Sequence, residues 1–231
     1  MRDSFQDDLD QVGNQLVDMS NLAASAMSRA TAALLDGDIQ QAESVIAGDA
    51  EIDRIAQDIE DHAFNLLALQ QPVATDLRIV VTALHMSMDL ERMGDLAAHI
   101  AKVARLRYPT KAVPDPIRPL FAEMARIAED IVAKAGTTIA AHDADRAREL
   151  EIDDDAMDAK HRELFRELLS DSWSHGVESA VDVTLLGRYY ERFADHAVAV
   201  ARRVIYLVTG EYDRMASRGP RAELPATAPG E

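Results

Sequence analysis

The sequence predicts an all-α protein built as two tandem, pseudo-repeated antiparallel three-helix bundles, six long helices in all. Three observations predict this. Apolar residues recur at steps of three and four over stretches of roughly twenty to thirty residues, the period of a helix with one buried face. Helix breakers and aromatics are few: 10 glycines and 8 prolines in 231 residues, with 5% aromatic. Such a composition disfavours a β-sandwich. Finally, Glu91-Arg92-Met93-Gly94-Asp95 returns 100 positions later as Glu191-Arg192-Phe193-Ala194-Asp195, which marks a duplicated unit.

The first helix follows from the stripe Phe5, Leu9, Val12, Leu16, Met19, Ala23, Ala26, Ala30 and Leu34. Asp36-Gly37-Asp38 ends it and caps a second helix over about 39–69. Pro72 breaks the pattern, and a third helix runs over about 75–106, with Asp76 in its first turn where the helix dipole favours an anion. Between Tyr108 and Pro119 the chain carries Pro109, Pro114, Pro116 and Pro119 and loses its helical period, so the halves divide there. Ile117, Leu120, Met124, Ile127, Ile131, Ala135 and Thr138 line a fourth helix. His142-Asp143 turns the chain into a fifth, which ends near Leu169, and a sixth spans about 177–209. The expected units are residues 1–108, residues 109–212 and a disordered tail, 213–231, of Arg, Gly, Pro, Ala and Glu without apolar period.

Charge and composition exclude several classes. A formal net charge of −17 repels a phosphate backbone, so nucleic acid is not an expected partner. Cysteine is absent, which removes disulfides, thiol nucleophiles and Cys-ligated zinc. No run approaches ~18 uninterrupted apolar residues, and residues 1–10 do not read as a secretory signal. A cytoplasmic protein is expected, free to be recruited to the inner face of a membrane through protein partners.

The acids carry the functional signal. On the third helix Leu77, Val81, Leu84, Met88, Glu91, Asp95 and Ala98 form one line, so the two carboxylates are expected to continue the core stripe. On the second, Ala42, Ile46, Asp49, Asp53, Ala56, Glu60, Ala63 and Leu67 do the same. On the fifth, Ala147, Leu150, Asp154, Asp158 (or Met157), His161, Phe165 and Leu168 repeat the arrangement. On the sixth, Glu191 and Asp195 only flank the stripe of Tyr190, Phe193, Ala197 and Val204, so the second site is expected to be the more open one. Each half thus pairs Asp-x-x-x-Asp with Glu-x-x-x-Asp on adjacent helices: Asp49 and Asp53 with Glu91 and Asp95, and Asp154 and Asp158 with Glu191 and Asp195. Two carboxylates ~4 Å apart cost about 4 kcal/mol at an effective dielectric near 20. A converging set must therefore raise its pKa values, splay into water, pair with arginine or hold a cation. All-oxygen sites suit Mg²⁺, Ca²⁺, Mn²⁺ and iron. The bland alternative is a solvated face, with Arg92 and Arg192 in structural ion pairs. His99 and His196 offer possible nitrogen ligands, and Met19, Met88, Met124 and Met157 are expected in the core. The paired Glu-x-x-His segments of ferritin-like di-iron bundles are missing.

Taken together, Asp49-x-x-Ile52-Asp53, Pro72-x-x-x-Asp76-Leu77-Arg78, Asp89-x-Glu91-Arg92-Met93-Gly94-Asp95 and the echo Asp154-x-x-Met157-Asp158 with Glu191-Arg192-Phe193-Ala194-Asp195-His196 resemble the PhoU family over the chain up to about Tyr212. The resemblance implies two similar three-helix bundles, commonly in a homodimer, with metal ions held at the acidic motifs. By position the ligands are Asp49, Asp53, Glu91, Asp95, Asp154, Asp158, Glu191 and Asp195, and the ion is iron, Mg, Mn, Zn or Ca. It also implies negative regulation of phosphate uptake and phosphate-starvation signalling, through contacts with a sensor histidine kinase and the ATPase subunit of the phosphate ABC transporter. Val181-Asp182-Val183-Thr184 replaces the Pro-x-x-x-Asp-Leu-Arg segment in the second half, and Ala194 replaces Gly94, so the sites need not be equivalent. The expected function is a non-enzymatic adaptor with no catalytic residues. A metal-dependent hydrolase or oxidase on the same bundle is the rival, and a purely structural scaffold is a third reading.

Overall fold

The computed structural model describes residues 2–211, with side chains from Gln6 onward. The expected tail 213–231 and the Phe5 side chain lie outside these. The described residues form α1 (Arg2–Asp36), α2 (Ile39–Gln70), α3 (Ala74–Arg107), a 3₁₀ turn (Asp115–Ile117), α4 (Arg118–Ala141), α5 (Ala144–Leu168) and α6 (Gly176–Thr209). These are the two tandem antiparallel bundles that the stripes predict.

The helix ends follow from local chemistry. Gly37 adopts φ 73°, and the amides of Gly37 and Asp38 both donate to the Ala33 carbonyl at 2.9 and 3.1 Å. This satisfies the last turn of α1. Asp38 then caps α2 by accepting from the Gln41 amide at 3.0 Å. Asp143 caps α5 in the same way, accepting from the Arg146 amide at 3.0 Å. Each cap satisfies an otherwise orphaned donor.

Helices α1 and α3 of the first bundle face α4 and α6 of the second, while α2 packs outside α1 and α3, and α5 outside α4 and α6. The main core runs without interruption through both bundles. Even the proline-rich connection joins it, since Ala112, Val113 and Ile117 are buried there. The joint between the bundles also carries polar keys. Thr31 Oγ1 donates to the Met27 carbonyl at 2.9 Å, so the Tyr190 hydroxyl, 2.7 Å away and fully buried, is the donor to Thr31. Arg107 at the end of α3 donates to Asp182 of α6 at 2.5 and 3.0 Å and also pairs with Glu178. His196 Nδ1 of α6 lies 3.0 Å from Asp89 Oδ1 of α3.

The buried line of α3 differs from the one its apolar pattern suggested. Val80, Ala83, Met86, Leu90, Met93, Ala97 and Ile100 are buried, whereas Leu77, Val81 and Met88 are exposed. Met88 is therefore a surface residue; Met19, Met124 and Met157 are in the core as expected. The reason is that α3 carries two apolar lines side by side, and the shared core takes the one facing α1 and α6. Glu91 and Asp95 lie at the core's edge, one position from Leu90 and two from Met93. Glu191 and Asp195 stand in the same register to Tyr190 and Phe193.

Replacing Tyr190 with Phe removes the donor to Thr31 and leaves the Thr31–Met27 bond intact. The expected loss of stability is about 1 kcal/mol, read from urea unfolding; Tyr190→Ala, which adds a cavity, is expected to lose about 3–5 kcal/mol.

Candidate functional site

In the first bundle α2 comes close to α3 at Gly94. A Cβ there would lie 2.8 Å from Ile52 Cδ1 and 2.9 Å from Asp49 Oδ1, so only glycine leaves room for the Asp49 carboxyl without a shift. Burial, then the charges of Asp53 and Asp95, push the Asp49 carboxyl up to about 6, against the pull of Lys102 and His99. Its Oδ1 is buried and has no hydrogen-bond partner. Arg92 donates to Asp95 at 2.7 Å within α3 and is also in the field of Glu91 and Asp53. Asp49, Asp53 and Asp95 therefore share one seam. Glu91 joins it through Arg92.

In the second bundle all four expected acids act on one another. Burial pushes the Asp154 carboxyl up to about 7, assisted by Asp195, Asp158 and Glu191, and Arg202 opposes it. Burial also raises Glu191, even though Arg188 pairs with it. Asp195 keeps an exposed edge, yet loss of hydration is again the largest influence, ahead of Arg188, which lowers it, and Asp158, which raises it. Burial raises Asp154, Glu191 and Asp195 in the second seam, while Asp195 is exposed where its counterpart Asp95 is half-buried, so neither seam is uniformly the more open one. In both seams, α3 and α6 hold their acids in a common register, where flanking the core stripe brings a carboxylate toward the neighbouring helix.

The two expected nitrogen donors each have Nδ1 engaged, while their rings lie in the field of a seam acid, His99 near Asp49 and His196 near Asp195. His99 Nδ1 sits 2.6 Å from the Asp95 carbonyl, with its ring 5.4 Å from that of Tyr189. His196 is held against Asp89. A third histidine, His161, also faces the second seam. Burial lowers its pKa, against smaller upward pulls from Asp158 and Asp195, and its buried Nε2 has no partner. Sequence reading placed His161 on the α5 stripe but gave it no role. Asp182 enters the sequence reading only within the segment Val181-Asp182-Val183-Thr184, although an Asp flanked by two valines in an apolar run signals a buried partner, here Arg107.

The donor set suits a hard cation. It is rich in oxygen, strongly acidic, destabilised by its own repulsion, and includes an orphaned carboxylate oxygen at Asp49. Among the described residues no three His, Asp or Glu groups stand close enough to hold an ion as they are arranged. Closing either seam on a cation therefore takes side-chain rotation.

A family profile described as "PhoU domain" matches residues 16–104 and again 121–204, one copy in each bundle. The chain belongs to the PhoU family. One seam falls in each PhoU domain, Asp49 to Asp95 in the first and Asp154 to Asp195 in the second. The chain is 48% identical over 212 residues, 92% of its length and 100% of the relative's, to the phosphate-specific transport system accessory protein PhoU homolog 2 of Mycobacterium tuberculosis. It is 47% identical, over 92% of its length and 96% of the relative's, to PhoU homolog 1 of Mycobacterium leprae. Its structure superposes on PhoU from Pseudomonas aeruginosa with a TM-score of 0.81 at 28% identity, covering 90% of this chain and 100% of that one.

The raised carboxyls carry a signed pH dependence. Asp49 and Asp154 titrate near 6 and 7 in the folded chain against 3.8 for the free side chain, so the folded state binds more protons between those values. Without metal, their contribution to stability falls as pH rises from about 4 to about 7. Asp154→Asn is expected to remove most of the second seam's share. Its urea midpoint should exceed that of the parent at pH 8 and converge with it near pH 4.

Proposed function

We propose that this protein is a non-enzymatic regulator of phosphate homeostasis, acting in the cytoplasm to hold phosphate uptake and phosphate-starvation signalling in check by bridging a phosphate ABC transporter's ATPase subunit and a sensor histidine kinase. The observation that carries this reading is a paired acidic seam repeated in two PhoU domains, in a chain nearly half identical to phosphate-specific transport accessory proteins. Acidic helix edges give charge complementarity to basic surfaces, which governs partner choice and encounter rate. Among the described residues no helix is long and apolar enough to cross a membrane, so membrane proximity comes through partners.

The seams are also the proposed metal sites, with Asp49, Asp53, Glu91 and Asp95 in the first bundle and Asp154, Asp158, Glu191 and Asp195 in the second. A bound Mg²⁺, Mn²⁺, Ca²⁺, Zn²⁺ or iron ion supplies neutralising charge and fixes the spacing of the two helices. Docking then depends on the ion through its preference for one spacing. A homodimer is part of the same proposal.

Two measurements test it. The Glu91→Ala/Asp95→Ala double variant should lose repression of a phosphate-responsive reporter in phosphate-replete cells, to the level of a deletion, while melting normally; unchanged repression would show that the first seam is not the working part. Separately, Mn²⁺ at about 100 times its Kd should stabilise the purified protein by about 2.7 kcal/mol, roughly 5–10 °C in Tm. Asp154→Asn/Asp158→Asn should cut that gain, and no gain in the parent with any of the five ions would remove the metal.

A further inference from the structure

The face of α3 turned away from the shared core is apolar over its first half. Leu77, Val81 and Met88 lie on one line of the helix, at steps of four and seven, and all are exposed, Met88 at 61%. The antiparallel pairing that sets Asp49 over Gly94 also brings Phe64 of α2 level with Ile79, beside this line, and Phe64 is 58% exposed. Toward the helix C-terminus the same line continues through Glu91 and Asp95, with Asp53 alongside. The result is one strip, about 27 Å long from Leu77 to Asp95 at 1.5 Å per residue, apolar at one end and acidic at the other. The second bundle repeats the apolar end with Val177, Val181, Leu185 and Phe165, all exposed. There, however, Arg188 occupies the position of Met88 and pairs with Glu191, so a cation interrupts the strip before the acids. In the first bundle the apolar run reaches the acids without a cation at position 88, and Arg92, paired with Asp95, offsets one charge of an end that also holds Glu91 and Asp53.

We propose that this strip of α2 and α3 docks one amphipathic helix of a partner protein, with apolar anchors at one end and lysines or arginines at the other. The proposal rests on the regulator reading only for where such a partner comes from. Charge chooses the occupant. A second copy of a chain with net charge −17 brings more acid to the acidic end, whereas a basic helix end neutralises it while its apolar end covers Leu77, Val81 and Met88. A partner of about 18 residues matches the strip's length.

The probe is a synthetic helix of about that length, with leucines at helical spacing in its first turns and lysines in its last, titrated calorimetrically into the full chain at low and high salt. One peptide should bind per chain. Val81→Asp/Met88→Asp and Glu91→Gln/Asp95→Asn should each weaken it at least tenfold, the second pair also flattening the salt dependence. Val177→Asp/Val181→Asp should change it less than twofold, and a peptide with glutamates for lysines should not bind. Val81, Met88, Val177 and Val181 are exposed and Glu91 and Asp95 are half-buried at the core's edge, and unchanged melting confirms the fold. Absence of binding, equal weakening by the two aspartate pairs, or a dimer that Val81→Asp/Met88→Asp dissociates while the peptide fails to bind would each overturn the proposal, the last in favour of a second copy. In cells, Val81→Asp/Met88→Asp should derepress the phosphate reporter. If it represses normally where a deletion does not, the strip is not the docking site and the regulator reading survives; a deletion that leaves repression intact removes that reading and leaves the peptide result standing.

Discussion

Everything in this molecule depends on the inner helices sharing one apolar core across the two bundles. Because α1 and α3 meet α4 and α6 directly, the outer helices α2 and α5 have a single face to cover, and their acids are forced to its edge. Packing thereby holds carboxylates together that would separate if they were free. The repulsion shows most at Asp49 and Asp154, whose carboxyls burial and neighbouring acids push up to about 6 and about 7. At each seam apolar burial opposes charge, and an ion, a proton or a basic partner can relieve the strain.

The helices were legible in the sequence because their stripes run long and their ends use plain chemistry: Gly37 with its positive φ, and Asp38 and Asp143 as N-caps. The acids of the candidate site were legible because the tetrad repeats at a fixed interval. What could not be read was which of two adjacent apolar lines on α3 turns inward. Val80, Ala83 and Met86 compete with Leu77, Val81 and Met88 on nearly equal hydrophobicity, and a stripe alone carries no information about neighbours. That ambiguity moved Met88 into the expected core and made the two acidic pairs look different, when α3 and α6 hold them in one register. The polar keys of the joint were hidden for a related reason. Asp182, Asp89 and His196 acquire meaning only once α3 and α6 are side by side.

The duplication is faithful in its buried pattern and unfaithful in its polar detail. Gly94 admits the Asp49 carboxyl where Ala194 stands in the second half, and Met88 leaves open a surface that Arg188 closes with a cation. The halves thus offer one scaffold with two chemistries: the first seam seats the Asp49 carboxyl against Gly94, and in the second, burial raises Glu191 and Asp195.

The joint itself is keyed in one direction. Tyr190, Asp182, His196 and Arg107 have Leu90, Thr82, Leu96 and Leu207 at the matching places in the other half, and Asp89 has Tyr189. Two copies of either half would meet without these polar contacts, so the polar groups of the joint favour the pairing of unlike halves.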